Sequence, residues 1–278
     1  MEVKSLEFRK LGKTRDSIPV VGMGTYGMGS DDDRAVNALR HGLDRGMLLI
    51  DTAEMYGSGH SEEVVSRAVE GRRDSVFVAS KVSPSHFAYD DVLRSAQKSL
   101  KRLRLKQMDL YQLHWPNPSI PISETMRAME KLAKDGLTRY VGVSNFSIAQ
   151  MQEAQKALSK NRIVSNQVEY SLLERSIEKD LLLYCQKEGV TVIAYSPLGQ
   201  GKMPKGRGAA FDILDKVAEK LGKSRNQVAL NWLLHQESVV VIPKAVRKEH
   251  LAENAESCGW RLDNSDYELV GNAFPRVF

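Results

Sequence analysis

The chain has 278 residues and a mass of 31.1 kDa, with 42% hydrophobic and 27% charged residues. This balance excludes disordered and fibrous proteins and predicts a soluble globular protein with a sizeable core. The net charge is 40 − 35 = +5, which favours ligands that carry phosphate groups. No segment approaches the roughly 18 consecutive apolar residues of a membrane span, so an integral membrane protein is excluded.

The sequence also predicts a cellular setting. The two cysteines, Cys185 and Cys258, are too few for a disulfide framework or a cysteine-rich metal site. Residues 1–10 mix charged and apolar side chains, with no apolar run ahead of a small-residue cleavage site, so they do not predict a secretory signal. We therefore expect a cytoplasmic protein.

The densest basic run, residues 98–106, lies where a predicted helix ends. Cations are favoured at that end of a helix by its dipole. The run lacks the interleaved aromatic residues of a site for single-stranded nucleic acid. We therefore expect a solvated helix end and no nucleic-acid partner.

Eight short runs of apolar or β-branched residues predict strands that are buried on both faces of a parallel sheet. They are residues 19–24, 47–51, 76–81, 109–114, 139–144, 165–169, 190–196 and 239–244. Amphipathic helical patterns lie between and after these runs. They cover residues 31–45, 61–70, 89–105, 123–135, 147–159, 177–187, 212–221 and 247–256, with one further helix at 226–236.

Eight strands, each followed by a helix and without a long linker, predict a (β/α)8 TIM barrel in the α/β class. Residues 1–18 would form an N-terminal hairpin or cap, and residues 1–278 a single domain. A doubly wound open sheet also alternates strands and helices, so the number of strands is the main observation that favours the barrel.

Residues 22–27 (GMGTYG) match the glycine pattern of a Rossmann dinucleotide site, with Asp51 at the end of the next strand. Two observations oppose that interpretation. The following helix opens with Asp31, Asp32 and Asp33, which would repel a pyrophosphate at the helix N-terminus. Gly27 also lies in a loop rather than inside the helix. We therefore expect a glycine-rich loop at the mouth of a barrel strand.

Three ionisable residues end three successive predicted strands: Asp51, Lys81 and His114. Tyr56 follows Asp51 by five residues, in a loop. The carboxyl ends of barrel strands converge on one site, and charges at sheet ends are costly unless they are paired or used. The sequence therefore predicts that these four side chains meet, with no metal between them, because one Asp and one His are not a convincing metal site.

The four groups have a coherent chemistry. A phenol with a pKa near ~10 is a poor acid at neutral pH unless a cation lowers that pKa. Lys81 would be that cation for Tyr56, Asp51 would hold the lysine, and His114 would donate a hydrogen bond to a carbonyl oxygen. This equipment suits protonation of an alkoxide that forms during hydride delivery. Lys81 is also a possible nucleophile, which leaves a Schiff-base aldolase open.

The whole pattern resembles the aldo-keto reductase superfamily. The segments that carry the resemblance run in order through nearly the whole chain, and together they are specific. They are residues 22–26 (GMGTY), 51–57 (DTAEMYG), Lys81, 113–116 (LHWP), 142–146 (GVSNF), 166–167 (NQ), 194–198 (AYSPL) and 242–244 (IPK).

The resemblance implies an oxidoreductase that uses NADP(H), with NAD(H) possible, to reduce aldehyde or ketone carbonyls to alcohols by hydride transfer. Asp51, Tyr56, Lys81 and His114 match the tetrad of the family, with Tyr56 as the general acid. Members of the family also serve as non-catalytic subunits that bind the cofactor, and this second interpretation stays open. The intact tetrad argues against it.

The resemblance also implies contacts to the nicotinamide half of the cofactor. Ser144, Asn145 and Gln167 match positions that hold the carboxamide, and Tyr195 matches the residue that stacks on the ring. Without a cofactor, Ser144 and Asn145 would merely cap the next helix.

Further positions match contacts to the pyrophosphate and the ribose. Ser196 and Leu198 match the pyrophosphate contacts, and Thr25 and Asp51 lie where the family touches the nicotinamide ribose.

The adenosine end is implied by residues 242–254. Lys244 would pair with the 2′-phosphate of NADPH, and Glu253 and Asn254 would hold the adenine. Two positions depart from the pattern, since Ala245 stands where a hydroxyl often binds phosphate and His250 where an arginine often does. Each lost charge-assisted bond is worth about 1.5–3 kcal/mol.

The substrate side gives fewer signals. Tyr26, Trp115 and the loop 199–207 would line the mouth of the pocket. The chain ends soon after residues 262–269, so we expect an open pocket for small or varied aldehydes. The expected partner is a small-molecule aldehyde or ketone, and the expected state is a monomer or a weak homo-oligomer.

Overall fold

In this computed structural model, which describes residues 7–28 and 31–276, eight parallel strands curl into a barrel. Each strand is hydrogen-bonded to the next one in chain order. The barrel strands are β3 (Met23–Gly24), β4 (Leu49–Asp51), β5 (Phe77–Val82), β6 (Met108–Leu113), β7 (Thr138–Ser144), β8 (Ile163–Glu169), β9 (Thr191–Tyr195) and β10 (Val239–Val241). An antiparallel hairpin of β1 (Phe8–Lys10) and β2 (Ser17–Pro19) precedes them.

The barrel closes between its first and last strands. A parallel bridge joins Val21 to Val241, with the amide of Gly22 donating to the carbonyl of Val241 at 2.8 Å. The amide of Val241 donates in turn to the carbonyl of Val20 at 2.9 Å. The expected (β/α)8 barrel with an N-terminal hairpin is confirmed.

Helices surround the barrel in the order that the sequence predicted. They are α1 (Asp32–Asp44), α2 (His60–Val69), α3 (Tyr89–Leu103), α4 (Ile122–Lys134), α5 (Ile148–Lys156), α6 (Leu181–Glu188), α7 (Ala209–Leu221), α8 (Arg225–Leu234), α9 (Lys248–Ala255) and α10 (Asn264–Ala273). The helix α10 was not predicted. Its pattern is weak, because only Asp266 and Val270 are buried along it. No helix in the described ranges is long and apolar enough to cross a membrane.

The predicted first strand, residues 19–24, was wrong in its extent. Pro19 belongs to the hairpin strand β2, and the first barrel strand is only β3. The chain approaches its neighbour closely here, since a Cβ on Gly24 would lie 2.9 Å from the carbonyl oxygen of Ile242. Only glycine tolerates that approach.

The start of α1 supports the interpretation that residues 22–27 do not form a Rossmann dinucleotide site. Asp31 is the N-cap of this helix, and its carboxylate accepts from the amide of Arg34 at 3.0 Å. The acidic residues Asp32 and Asp33 follow in the first turn. A carboxylate therefore occupies the end of the helix where a Rossmann fold binds pyrophosphate.

The hairpin closes one end of the barrel. Leu11 and Ile18 are fully buried with an apolar cluster inside the barrel, whose members include Leu49, Leu110 and Val240. Because the N-terminal end of the barrel is filled in this way, the mouth of the barrel lies at the carboxyl ends of the strands. This end carries the candidate site.

Candidate active site

Lys81 is the centre of a buried polar cluster at the carboxyl ends of β4, β5 and β6. Its side chain is fully buried. The ammonium Nζ donates to Asp51 Oδ1 at 2.5 Å, to the carbonyl of Thr52 at 3.0 Å and to Tyr56 Oη at 3.2 Å. These three acceptors satisfy all three N–H groups of the ammonium. The predicted meeting of Asp51, Tyr56 and Lys81 is therefore observed.

A strained loop carries Tyr56 back over the lysine. A 3-10 turn spans Tyr56–Gly59, and its residues Gly57, Ser58 and Gly59 have φ angles of 57°, 54° and 95°. Such left-handed angles cost energy at a non-glycine residue, so the loop persists only because its surroundings hold it.

The ring of Tyr56 lies between other side chains of the mouth. Lys81 Nζ is 5.0 Å from the centre of the ring. The rings of His114 and Tyr26 contact it edge-on, with centroids at 5.5 Å and 5.2 Å. The tyrosine hydroxyl therefore meets the lysine from one side while His114 flanks the ring.

The direction of the pKa shift of Tyr56 differs from the sequence expectation. Burial raises the pKa of Tyr56, and the neighbouring Lys81 lowers it only in part, so the net shift is upward. The expected net lowering was wrong. For Lys81, burial opposes the charge, but Asp51 and Tyr56 raise the pKa above its ordinary value. At neutral pH the site thus holds a protonated phenol beside a charged ammonium.

His114 is neutral in this site. Burial, followed by the charge of Lys81, lowers the pKa of His114 to about 3. Its Nδ1 is buried and has no hydrogen-bond partner among the described residues. A neutral imidazole has one N–H, so His114 can donate one hydrogen bond but does not act as a strong acid.

An amide cluster adjoins the tetrad, and it contains the residues that were expected at the carboxamide. Gln167 Nε2 donates to Asp51 Oδ2 at 2.7 Å, and Ser144 Oγ donates to the carbonyl of Gln167 at 2.8 Å. Asn145 Nδ2 donates to Ser144 Oγ at 3.0 Å, and Tyr195 Oη donates to Asn145 Oδ1 at 3.0 Å. The aromatic ring and the amides therefore lie at one edge of the mouth.

These residues do not serve as a helix cap. Ser147 is the N-cap of α5, and it forms a reciprocal capping box with Gln150. Ser144 and Asn145 are the end of β7 and the residue after it. The capping interpretation of this pair was therefore wrong, and their polar groups are explained by the cluster instead.

The residues predicted to contact the ribose and the pyrophosphate have mixed environments. Thr25 is buried, and its hydroxyl donates to the carbonyl of Asp51 at 3.0 Å. Ser196 has a left-handed φ of 49°, and Leu198 is half-buried in the turn that follows β9. Arg225 fixes the continuation of this loop by donating to the carbonyl of Gly206 at 2.8 Å.

The predicted adenosine residues lie around the start of α9. Lys244 and His250 are exposed, and Asn254 is buried. Glu253 Oε1 accepts from Asn226 Nδ2 at 3.2 Å. Arg247 is the N-cap of α9 and gives no side-chain hydrogen bond to it, which leaves the first amides of the helix without a side-chain cap.

The outer mouth is aromatic and open. Tyr26 is 74% exposed and Trp115 is 47% exposed. Thr52 was not predicted from the sequence, because its contribution is a backbone carbonyl and leaves no side-chain signal. Within residues 7–28 and 31–276, no group of three or more His, Cys, Asp and Glu side chains is arranged to hold a metal ion.

Comparison with known proteins identifies the family. The sequence model of the aldo/keto reductase family matches residues 20–273. Methylglyoxal reductase YeaE of Escherichia coli (strain K12) is 39% identical over 262 residues, which are 93% of this chain and 92% of that protein.

Two crystal structures have the same fold. The thermostable aldo-keto reductase Tm1743, in complex with the inhibitor epalrestat, aligns with a TM-score of 0.91 at 41% identity over 96% of this chain and 100% of that one. An aldo/keto reductase from Klebsiella pneumoniae, in complex with NADP and acetate, aligns at 0.88 with 36% identity, covering 98% and 96%. The family and the carbonyl reduction expected from the sequence are confirmed. The chain belongs to the aldo/keto reductase family.

Proposed function

We propose that this enzyme uses NADPH to reduce small aldehydes and ketones, with Tyr56 as the proton donor. One observation carries the assignment of Tyr56. Its hydroxyl lies 3.2 Å from Lys81, whose ammonium is bound to Asp51, in the open mouth of the barrel beside a neutral His114. The name of the E. coli relative supports 2-oxoaldehydes such as methylglyoxal as one substrate class.

The residues of the mouth fit a nicotinamide cofactor. Ser144, Asn145 and Gln167 offer the donors and acceptors that a carboxamide needs, and the half-buried ring of Tyr195 offers a stacking surface. These groups satisfy one another in the structure, so they are already oriented. The NADP complex of the K. pneumoniae relative supports the same cofactor here.

The start of α9 fits the phosphate of NADPH. Lys244 is exposed and Arg247 leaves the first amides of the helix without a side-chain cap, and such a helix end favours anions. The methyl group of Ala245 adds no donor, so Lys244 and the backbone amides carry this contact.

When it is bound, NADPH supplies the hydride. Tyr56 donates its proton to the carbonyl oxygen, and an alkoxide is basic enough to take a proton even from a phenol whose pKa is raised. Lys81 stabilises the resulting phenolate, because its ammonium already lies within hydrogen-bond distance. Neutral His114 donates one hydrogen bond that orients the carbonyl oxygen. Asp51 keeps Lys81 charged throughout.

The Schiff-base aldolase is disfavoured by the state of Lys81. A nucleophilic amine must be unprotonated, yet Asp51 and Tyr56 raise the pKa of Lys81 despite its burial. All three of its N–H groups also have acceptors. A non-catalytic cofactor-binding subunit would have no use for this assembled tetrad.

We infer a cytoplasmic protein that is a monomer or a weak homo-oligomer and acts on small molecules. Both cysteines are free in the structure, Cys185 buried and Cys258 half-buried, which suits a reducing compartment.

The experiment is NADPH consumption by the purified protein with methylglyoxal and with an aromatic aldehyde. Tyr56→Phe should lower kcat by about 10²–10⁴-fold, the usual contribution of a general acid, while NADPH still binds. Tyr140→Phe is the control, because Tyr140 lies at the other end of the barrel and donates to Asp16. Equal rates for the parent and Tyr56→Phe would refute the assignment of the acid.

A further inference from the structure

A buried charged cluster lies behind the Tyr56 loop. Glu62, in the first turn of α2, is fully buried. Its Oε2 accepts from Arg102 Nε at 2.7 Å, and Arg102 Nη2 lies 2.6 Å from the same oxygen in an ion pair. Its Oε1 accepts from Ser80 Oγ at 2.5 Å. Arg102 lies in the last turn of α3, so the cluster joins α2, α3 and β5.

Tyr56 and Lys81 both lie close to this cluster along the chain. Ser80 precedes Lys81 in β5, so the two side chains point to opposite faces of the strand. Arg102 rests on the backbone of Gly59, because a Cβ there would lie 2.5 Å from Arg102 Nε. Gly59 ends the strained turn that begins at Tyr56.

Stability alone does not explain why a charged pair is buried in this cluster. A buried ion pair is often no more stabilising than apolar residues of the same volume, because both charges lose their hydration. The pair also fixes the orientation of α2 relative to α3, because two nitrogens of the planar guanidinium meet one oxygen of Glu62 where the strained turn enters the helix. Ser58, whose left-handed φ is costly for a residue other than glycine, needs such an external hold.

We propose that Arg102, acting through Glu62, is a positioning residue that sets the distance between Tyr56 and Lys81. Neither Arg102 nor Glu62 touches the tetrad, so they are not catalytic residues. The pair fixes the loop of Tyr56 through Gly59 and fixes the strand of Lys81 through Ser80. The inference rests on the proposed role of Tyr56 as the proton donor.

The decisive variant is the neutral double substitution Glu62→Gln with Arg102→Met. It leaves no unpaired buried charge, so the fold is expected to persist while the ion pair between α2 and α3 is lost. We expect kcat to fall by about tenfold to a hundredfold, as a misplacement of about 1 Å can cause, while the Kd of NADPH stays unchanged. The single variant Arg102→Lys keeps the charge but loses the planar guanidinium. It should retain more of the parent kcat than the double variant does.

The matched control is Asp109→Asn with Arg73→Met at the opposite end of the barrel. Asp109 is also buried, and Arg73 Nη2 contacts it at 2.7 Å. Arg139 Nη1 donates to the other oxygen of Asp109 at 3.0 Å and keeps its second partner, Asp16, in the control. This pair should leave kcat unchanged. An equal fall in kcat in the control would overturn the inference, since any lost buried pair would then have the same effect.

Two further measurements keep the outcomes distinct. If the double variant does not fold, Ser80→Ala decides, because it removes one bond to Glu62 without unpairing Arg102; an unchanged kcat would count against the inference. If Tyr56→Phe abolishes turnover but the folded double variant matches the parent, the positioning role fails alone. If Tyr56→Phe has no effect, the proposed acid fails and the inference fails with it.

Discussion

Gln167 donates a hydrogen bond from Nε2 to Asp51 Oδ2 at 2.7 Å, while Lys81 occupies the other oxygen of the same carboxylate. The carboxylate of Asp51 thus binds both Gln167, which is expected to contact the nicotinamide, and Lys81, which contacts the proposed proton donor Tyr56. If the proposed roles of Gln167 and Tyr56 hold, cofactor binding and the position of the proton donor are linked through Asp51.

Substitution of Gln167 should disturb both functions. In Gln167→Met the carboxylate loses a charge-assisted bond worth about 1.5–3 kcal/mol, and the nicotinamide loses an amide contact. We expect a rise in the KM for NADPH together with a fall in kcat, each by about tenfold. Steady-state kinetics with saturating aldehyde measure both. A change in KM alone would mean that Asp51 does not need its second donor.

The neutrality of His114 should appear in the pH dependence of stability. Its pKa is about 3 in the folded protein and near ~6.5 when unfolded, so the unfolded state binds the extra proton between these values. The free energy of unfolding should therefore fall as the pH drops from ~6.5, by up to about 1.4 kcal/mol per pH unit from this group. Urea unfolding of the parent and His114→Asn should give curves that diverge in this window; parallel curves would contradict it.

Lys244 should decide the preference for NADPH. Its ammonium is exposed near the start of α9. The next residue, Ala245, has no hydroxyl that could also bind the phosphate. We expect Lys244→Met to raise the KM for NADPH by about tenfold to a hundredfold and to leave that for NADH unchanged. Lys160→Met, at the other end of the barrel, is the control. An equal rise with NADH would show that Lys244 does not read the 2′-phosphate.

A second buried ion pair should matter for stability. Arg175 binds both oxygens of Glu178, at 2.8 Å and 2.9 Å, and donates to the carbonyls of Gly271 and Phe274 at the end of α10. Arg175→Met should lower the free energy of unfolding by about 3–5 kcal/mol, because the buried Glu178 loses its main partner.

The comparison for Arg175→Met is Arg94→Met, which breaks the exposed pair with Asp91. This variant should cost no more than about 1 kcal/mol, because surface pairs are weak. Equilibrium urea unfolding measures both. A similar small loss in the two variants would mean that Arg276 alone suffices to hold Glu178.

The location of the candidate site could be predicted from the sequence, because it follows from the direction of the strands. Asp51, Lys81 and His114 come at the ends of apolar runs, and parallel strands bring their carboxyl ends together whatever the details of packing. The helices around the barrel, apart from α10, follow from the spacing of apolar residues along the chain.

Contacts between side chains that are distant in the sequence could not be predicted in this way. Gln167 is 116 residues from Asp51, and Arg102 is 40 residues from Glu62. Residues 98–106 were expected to be a solvated helix end, yet Arg102 turns inward because Glu62 is buried beside it. The direction of the pKa shift of Tyr56 also depends on burial, which no residue pattern states.

The hairpin has a consequence for the order of folding. Arg9 donates to the carbonyls of Leu234 and Gln236, and the amide of Gly12 donates to Thr191 Oγ1, so the first described residues bind partners 179 to 227 positions later. Such distant closures are slow, since a long loop must be ordered first. During synthesis the N-terminal segment therefore waits for almost the whole chain to leave the ribosome. We expect the bottom of the barrel to stay open, and its apolar lining to need protection from aggregation, until that last step.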